Sequence, residues 1–196
     1  VSANAGKGDY EKLKAYANSI CGLVAYNHSA ASDGDTPYGD PWQLVYIFGG
    51  DRDTNVVCEG YSKGFKYLCD LTGFAGDVCC ELMTGTLEDD SGSGEHMWNA
   101  VRMPDGKYYL ADITNSDGGD GCNWRCFLRG CSGEAGGPYT CNGLRYTFDN
   151  GTRSTFGLAW LTLSASDYGD DLATPPEAAP EIEYSVAGYS GTYDGK

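Results

Sequence analysis

Between residues 9 and 26 the apolar positions Tyr10, Leu13, Tyr16, Ala17, Ile20 and Val24 recur at three- and four-residue steps. That is the period of a helix with one buried face, and Asp9 stands where an N-cap belongs. A polar stretch, HSAASDGDTPYGDP, interrupts the pattern, and a short apolar run, WQLVYIF, follows it and reads as a strand. The helical period then returns from about Cys58 to Leu71, with Tyr61, Phe65, Leu68 and Thr72 in step and Gly73 as the stop. Gly60 and Gly64 share one face of that helix. Each glycine costs roughly 1 kcal/mol relative to alanine, so a neighbour must approach that face closely.

Beyond Gly76 the period changes to two. The stretch DVCCELMTGTL is a first strand, and a loop rich in Asp, Ser and Gly follows. GEHMWNAVRM and KYYLADIT come next, joined by Pro104-Asp105-Gly106, a hairpin signal. Further strands are predicted at RCFLRG, LRYTFD and LAWLTLSA. Helices first and antiparallel strands afterwards predict an α+β fold. Residues 1–170 form the expected domain. Residues 171–196, rich in Pro, Ala and acid, read as a linker or the start of a following module.

Composition narrows the class. The chain has 196 residues and a net charge of −15, which opposes binding to nucleic acid and docking on an anionic membrane. No apolar run is long enough to span a bilayer, and the start VSANAGKGDY reads as mature or trimmed. Nine cysteines suggest an oxidising setting, hence a secreted or cell-surface protein. The count is odd, so at least one thiol has no partner within the chain.

Cys58 is the candidate for that thiol, because it falls on the first turn of a helix. Only two histidines are available as a base, His28 in the polar loop and His96 in a strand. The three-residue loop pairs Met103 with Lys107, which carries Trp98 opposite Asp112 and makes His96 the diagonal neighbour of Asp112 on the same face. A loop one residue shorter would send Asp112 to the other face. A thiol at a helix start beside an imidazole, itself oriented by a carboxylate, is the arrangement that forms and resolves an acyl-enzyme. The chemistry requires neither a metal nor a cofactor.

The blocks Cys58-Glu59-Gly60-Tyr61, His96-Met97-Trp98-Asn99 and Tyr108-Tyr109-Leu110-Ala111-Asp112 occur in order. They resemble the transglutaminase-like superfamily as it occurs in bacterial secreted proteins. The resemblance covers roughly residues 9–170 and implies a papain-like α+β fold, with the nucleophile helix packed on an antiparallel sheet that carries His and Asp. It implies a Cys58–His96–Asp112 triad acting on amide bonds of a peptide or protein substrate, of cell-wall or host origin, with hydrolysis favoured over cross-linking. The hairpin's extra Pro104 and the cysteines from Cys122 to Cys141 depart from the shared pattern. Gln43 is the candidate oxyanion group beside the Cys58 N–H, its alternative being a polar residue at the rim of a strand.

Other features have plainer readings. Tyr61 and Trp98 are expected in the core or pocket wall, and Asn99 in a structural hydrogen bond. Cys122, Cys126, Cys131 and Cys141 lack the paired knuckles of a zinc site and read as two disulfides. Cys21 and Cys69, each late in its helix, are placed to pair or to sit as small core residues. The Asp33-Gly34-Asp35 and Asp117-Gly118-Gly119-Asp120 stretches read as solvated loops. A surface binding or adhesion module that keeps the fold without the chemistry is the competing function.

Overall fold

The first helix, α1, spans Asp9–Leu23 and buries Leu13, Tyr16, Ala17, Ile20 and Cys21. Asp9 is not its N-cap: Gly8 holds that place, and the Asp9 carboxylate instead accepts the N–H groups of Ala75 and Gly76. In this computed structural model the described residues are 1–32, 36, 39–134, 137–149 and 161–169. A one-turn 3-10 helix over Ser2–Asn4 precedes α1, and the short helix α2, His28–Ser32, follows it. Residues 171–196, expected as a linker, lie outside the described residues, as do Asp33, Gly34 and Asp35.

The run WQLVYIF is a helix, α3, over Trp42–Phe48, and not the expected strand. An apolar run of seven residues does not distinguish the two. The outcome is decided by docking against the next helix, α4, Cys58–Asp70. A Cβ on Gly60 would stand 2.9 Å from the Gln43 carbonyl oxygen, and one on Gly64 would stand 3.1 Å from Ile47. The two glycines therefore admit α3 to the face of α4. Gly60→Ala is expected to destabilise the protein by ~1–3 kcal/mol through overpacking, against the gain in helix propensity of ~1 kcal/mol. Chemical denaturation would check it, and an unchanged midpoint would mean that α3 gives way.

Among the described residues seven antiparallel strands follow: β1 Cys79–Asp89, β2 Gly92–Arg102, β3 Tyr108–Ala111, β4 Phe127–Arg129, β5 Ser132–Gly133, β6 Tyr139–Cys141 and β7 Leu144–Phe148. They form one sheet in the order β4-β3-β2-β1-β7-β6-β5. The Asp- and Ser-rich loop contracts to a two-residue turn, since Asp89 pairs with Gly92 and the Asp89 carboxylate accepts both the N–H and the hydroxyl of Ser91. Strands β5 and β6 carry too few apolar positions to show in the alternation. The segment LAWLTLSA contributes a single bridge, Leu163 to Tyr108, with residues 158–160 outside the described set.

Alternation along the strands sorts the core into two layers. Cys80, Val101, Met103, Tyr109 and Ala111 face α1 and α4. Met83, Trp98, Ala100, Leu110, Tyr146 and Phe148 form the second layer on the other side of the sheet. The Ser62 hydroxyl donates to the Met97 carbonyl at 2.8 Å and the Asn99 amide donates to the Ser62 carbonyl at 3.1 Å, which fixes where α4 crosses β2. None of the described helices is long and apolar enough to cross a membrane.

Candidate active site

Cys58 is the first residue of α4, and Val57 before it is extended, so the chain enters the helix at a sharp angle. Gln43 on α3 sets that angle. Its side-chain oxygen accepts the Val57 N–H at 2.9 Å, and its amide donates to the Asn55 carbonyl at 2.8 Å. Glu59, buried beside Cys58, pairs with Lys63 one turn along and accepts the Gly39 N–H at 2.9 Å. The helix start is thus held from two sides, with its positive end toward Cys58.

Cys58 lies one turn before Ser62, which bonds to β2 at Met97, so its side chain is beside His96 on that strand and is among the groups that raise the pKa of the imidazole. The hydrogen-bond partner of the ring is Asp112, immediately after β3: His96 Nε2 lies 2.7 Å from Asp112 Oδ2, leaving Nδ1 without a share in that bond. The hairpin register pairs Asn99 with Ala111 and Arg102 with Tyr108, so the three-residue loop makes the diagonal neighbours meet. Trp98 stacks on His96, with ring centroids 5.9 Å apart and planes 15° apart, and holds the imidazole in that plane.

Asp112 is fully buried and fully used. Its Oδ2 also accepts the Asn115 amide at 2.7 Å and the Tyr146 hydroxyl at 2.9 Å, and its Oδ1 accepts the Asn115 N–H at 3.0 Å. Burial alone would raise its pKa, but the His96 charge and these donors outweigh that and hold it below the usual carboxylate range. For His96, burial opposes the charged form, yet the charge and hydrogen bond of Asp112, with the Cys58 side chain, push its pKa up to about 10. Tyr26, also near Cys58, is pushed up to about 12, chiefly by burial.

A linkage prediction follows from the sign of the His96 shift. A base whose folded pKa is raised from 6.5 to about 10 adds stability that is present in full below pH 6.5 and is lost as pH rises toward 10. Asp112, lowered, adds stability that is present above the ordinary carboxylate range and is lost as pH falls through its depressed value. The wild-type Tm should therefore decline across the alkaline window more steeply than that of His96→Gln. Parallel Tm–pH curves for the two proteins would contradict the charged dyad.

Two grooves meet at this point. One of about 420 Å³ is lined by Cys58, Glu59, Val57, Tyr26, Gly94 and Glu95. The other, about 660 Å³, is lined in part by His96, Tyr26, His28, Asn115, Asp117 and Glu95. His28 stands on the larger groove against Tyr26, with rings 5.0 Å apart, and takes no part in the dyad.

Cys58, His96 and Asp112 are brought together. Gln43, expected as an oxyanion donor, is buried, lines neither groove, and spends its side chain on the segment entering α4. Of the two places expected for Tyr61 and Trp98, core and pocket wall, the structure takes the core: Tyr61 turns inward to donate to Asp117 Oδ2 at 2.6 Å, and Trp98 packs on Tyr146 and Phe148. The site residues not anticipated are Asn115, Tyr146 and Tyr26. The Asp-x-x-Asn spacing at 112–115 is a turn signal that could have found the first. Nothing local marks the other two.

The cysteines also depart from expectation. All nine are thiols in the structure. Cys21 and Cys69 take the second of their two expected places, as small buried core residues, Cys21 toward the loop that carries Cys122 and Cys69 toward the strand that carries Cys80. Cys131 and Cys141 face each other across one strand pair, and Cys126 is buried in the same core layer. Among the described residues no three His, Cys, Asp or Glu side chains cluster as metal ligands.

No protein-family model matches this chain, and no curated protein matches it.

Proposed function

We propose that this chain is a thiol-dependent acyl-transfer enzyme of the transglutaminase-like, papain-like kind, acting on amide bonds of a peptide or protein at the extracellular side. The observation that carries the reading is the His96–Asp112 hydrogen bond at 2.7 Å, with buried Asp112 behind the imidazole and the Cys58 side chain near enough to help raise its pKa. With its proton already resting on His96 as the imidazolium, Cys58 attacks the amide carbonyl as the thiolate. The negative oxygen that forms is stabilised at the start of α4, where the Gly60 and Tyr61 N–H groups are already spent on the Val57 carbonyl and the Cys58 N–H comes first. His96 returns the proton to the leaving amine, and water delivered through the adjoining groove releases the acyl group. Hydrolysis is favoured over transfer to a second amine. The cysteine content and the charge of −15 support an extracellular setting.

Incubation with an activated acyl ester, followed by peptide mass mapping, tests the reading. Acylation is expected on Cys58 ahead of every other thiol, and is expected to be lost in His96→Ala. Equal or slower labelling of Cys58 would favour a surface binding module that uses the grooves for recognition alone.

A further inference from the structure

Cys131 and Cys141 stand at opposite ends of one strand pair. Ser132 pairs with Thr140 and Gly133 with Tyr139, so the same register one rung on sets Cys131 directly across from Cys141. The Cys131 N–H points away from that partner, to the Ser164 carbonyl at 2.8 Å. This is the kind of rung on which facing Cα atoms are about 4.5 Å apart, inside the range that a disulfide bridges.

Two other pairs join elements far apart in the chain. The Cys122 N–H donates to the Asn18 side chain at 3.1 Å, one turn before Cys21 on the same face of α1, and the Cys21 thiol reaches the Ser116 carbonyl at 3.9 Å. Lys66 donates to the Cys80 carbonyl at 2.9 Å, one turn before Cys69 on α4. In all three pairs the neighbouring thiol and burial together push one partner's pKa up.

We propose that these six thiols are oxidised as three disulfides, Cys21–Cys122, Cys69–Cys80 and Cys131–Cys141, leaving Cys58, Cys79 and Cys126 as thiols. Each link forms by exchange with a small disulfide oxidant: two S–H bonds break, one S–S bond forms, and the oxidant takes up two electrons and two protons to become two thiols. Cys126 is buried in the layer of Cys141, with its carbonyl accepting the Asp112 N–H at 2.8 Å, and Cys79 begins β1 opposite Arg102. The Cys21–Cys122 link closes a loop of about 100 residues, the kind that constrains the unfolded chain most. It also ties the loop after Asp112, with Asn115 and Asp117, to α1. The odd count is resolved by three links and three thiols, of which Cys58 alone lines a groove at His96. The inference stands apart from the acyl-transfer reading and does not require turnover.

The test equilibrates the full chain in mixed reduced and oxidised glutathione, traps thiols with an alkylating agent in denaturant, and maps the peptides without reduction. The expected result is the three named linked pairs, with Cys58, Cys79 and Cys126 alkylated and a Tm loss of at least about 10 °C on reduction. Alkylation of any of the six thiols assigned to links would overturn the proposal. So would a different linkage, such as Cys21–Cys69, Cys126–Cys141 or Cys69–Cys79. Because Cys79 and Cys80 are adjacent, two variants separate them: Cys80→Ser should lose the Cys69 link, and Cys79→Ser should keep all three. The reverse pattern would sink the assignment.

Discussion

Turnover by Cys58→Ala on any substrate of the wild-type protein is expected to fall by at least ~10⁴-fold, because no other group can form the acyl intermediate. The fold should hardly register the change. Cys58 is only half-buried, caps nothing, and loses one sulfur atom, so the Tm should stay within about 4 °C of wild type. Steady-state kinetics beside a thermal melt would read both quantities. Loss of turnover together with collapse of the melt would mean that Cys58 is a structural thiol. Retained turnover would remove the nucleophile altogether.

Asp112→Asn is expected to damage both activity and stability. Oδ2 accepts three donors, from His96, Asn115 and Tyr146, and Oδ1 accepts the Asn115 N–H. An asparagine amide turned either way sets its own N–H groups against at least one donor. Removing one partner of a buried ion pair costs ~3–5 kcal/mol, and at 2–4 °C per kcal/mol the Tm should drop by roughly 6–20 °C. Activity should fall by about 10⁴-fold, the scale on which a catalytic histidine loses its orienting carboxylate. Tyr146→Phe removes one donor and leaves the charge, so it should show a small fraction of both effects. If Asp112→Asn melts like wild type, the carboxylate is not ionised in the folded protein.

The hairpin that joins His96 to Asp112 was legible in the chain. Side chains alternate with a period of two, so the length of one loop decides which residues of the two strands share a face. The helix from Cys58 and the close approach at Gly60 and Gly64 were legible for a similar reason. A local repeat reports a buried face, and a glycine pair reports a neighbour.

The run at 42–48 was misread because seven apolar residues fit either period, and only contact with α4 selects the helix. Gln43 looked like a catalytic donor because a polar residue upstream of a nucleophile gives no hint of its direction. In the fold it points at the Asn55–Val57 segment instead.

By itself, then, the sequence determined two long helices ahead of an antiparallel sheet, the register of the hairpin, and a helix that starts at Cys58. Those properties depend on neighbours a few residues apart. The tertiary structure alone decided that Tyr146 reaches Asp112 across 34 positions, that Tyr26 stands between the two grooves, and which thiols face each other. Those contacts join strands and helices whose approach is set by the packing of two core layers, and no local period encodes that distance.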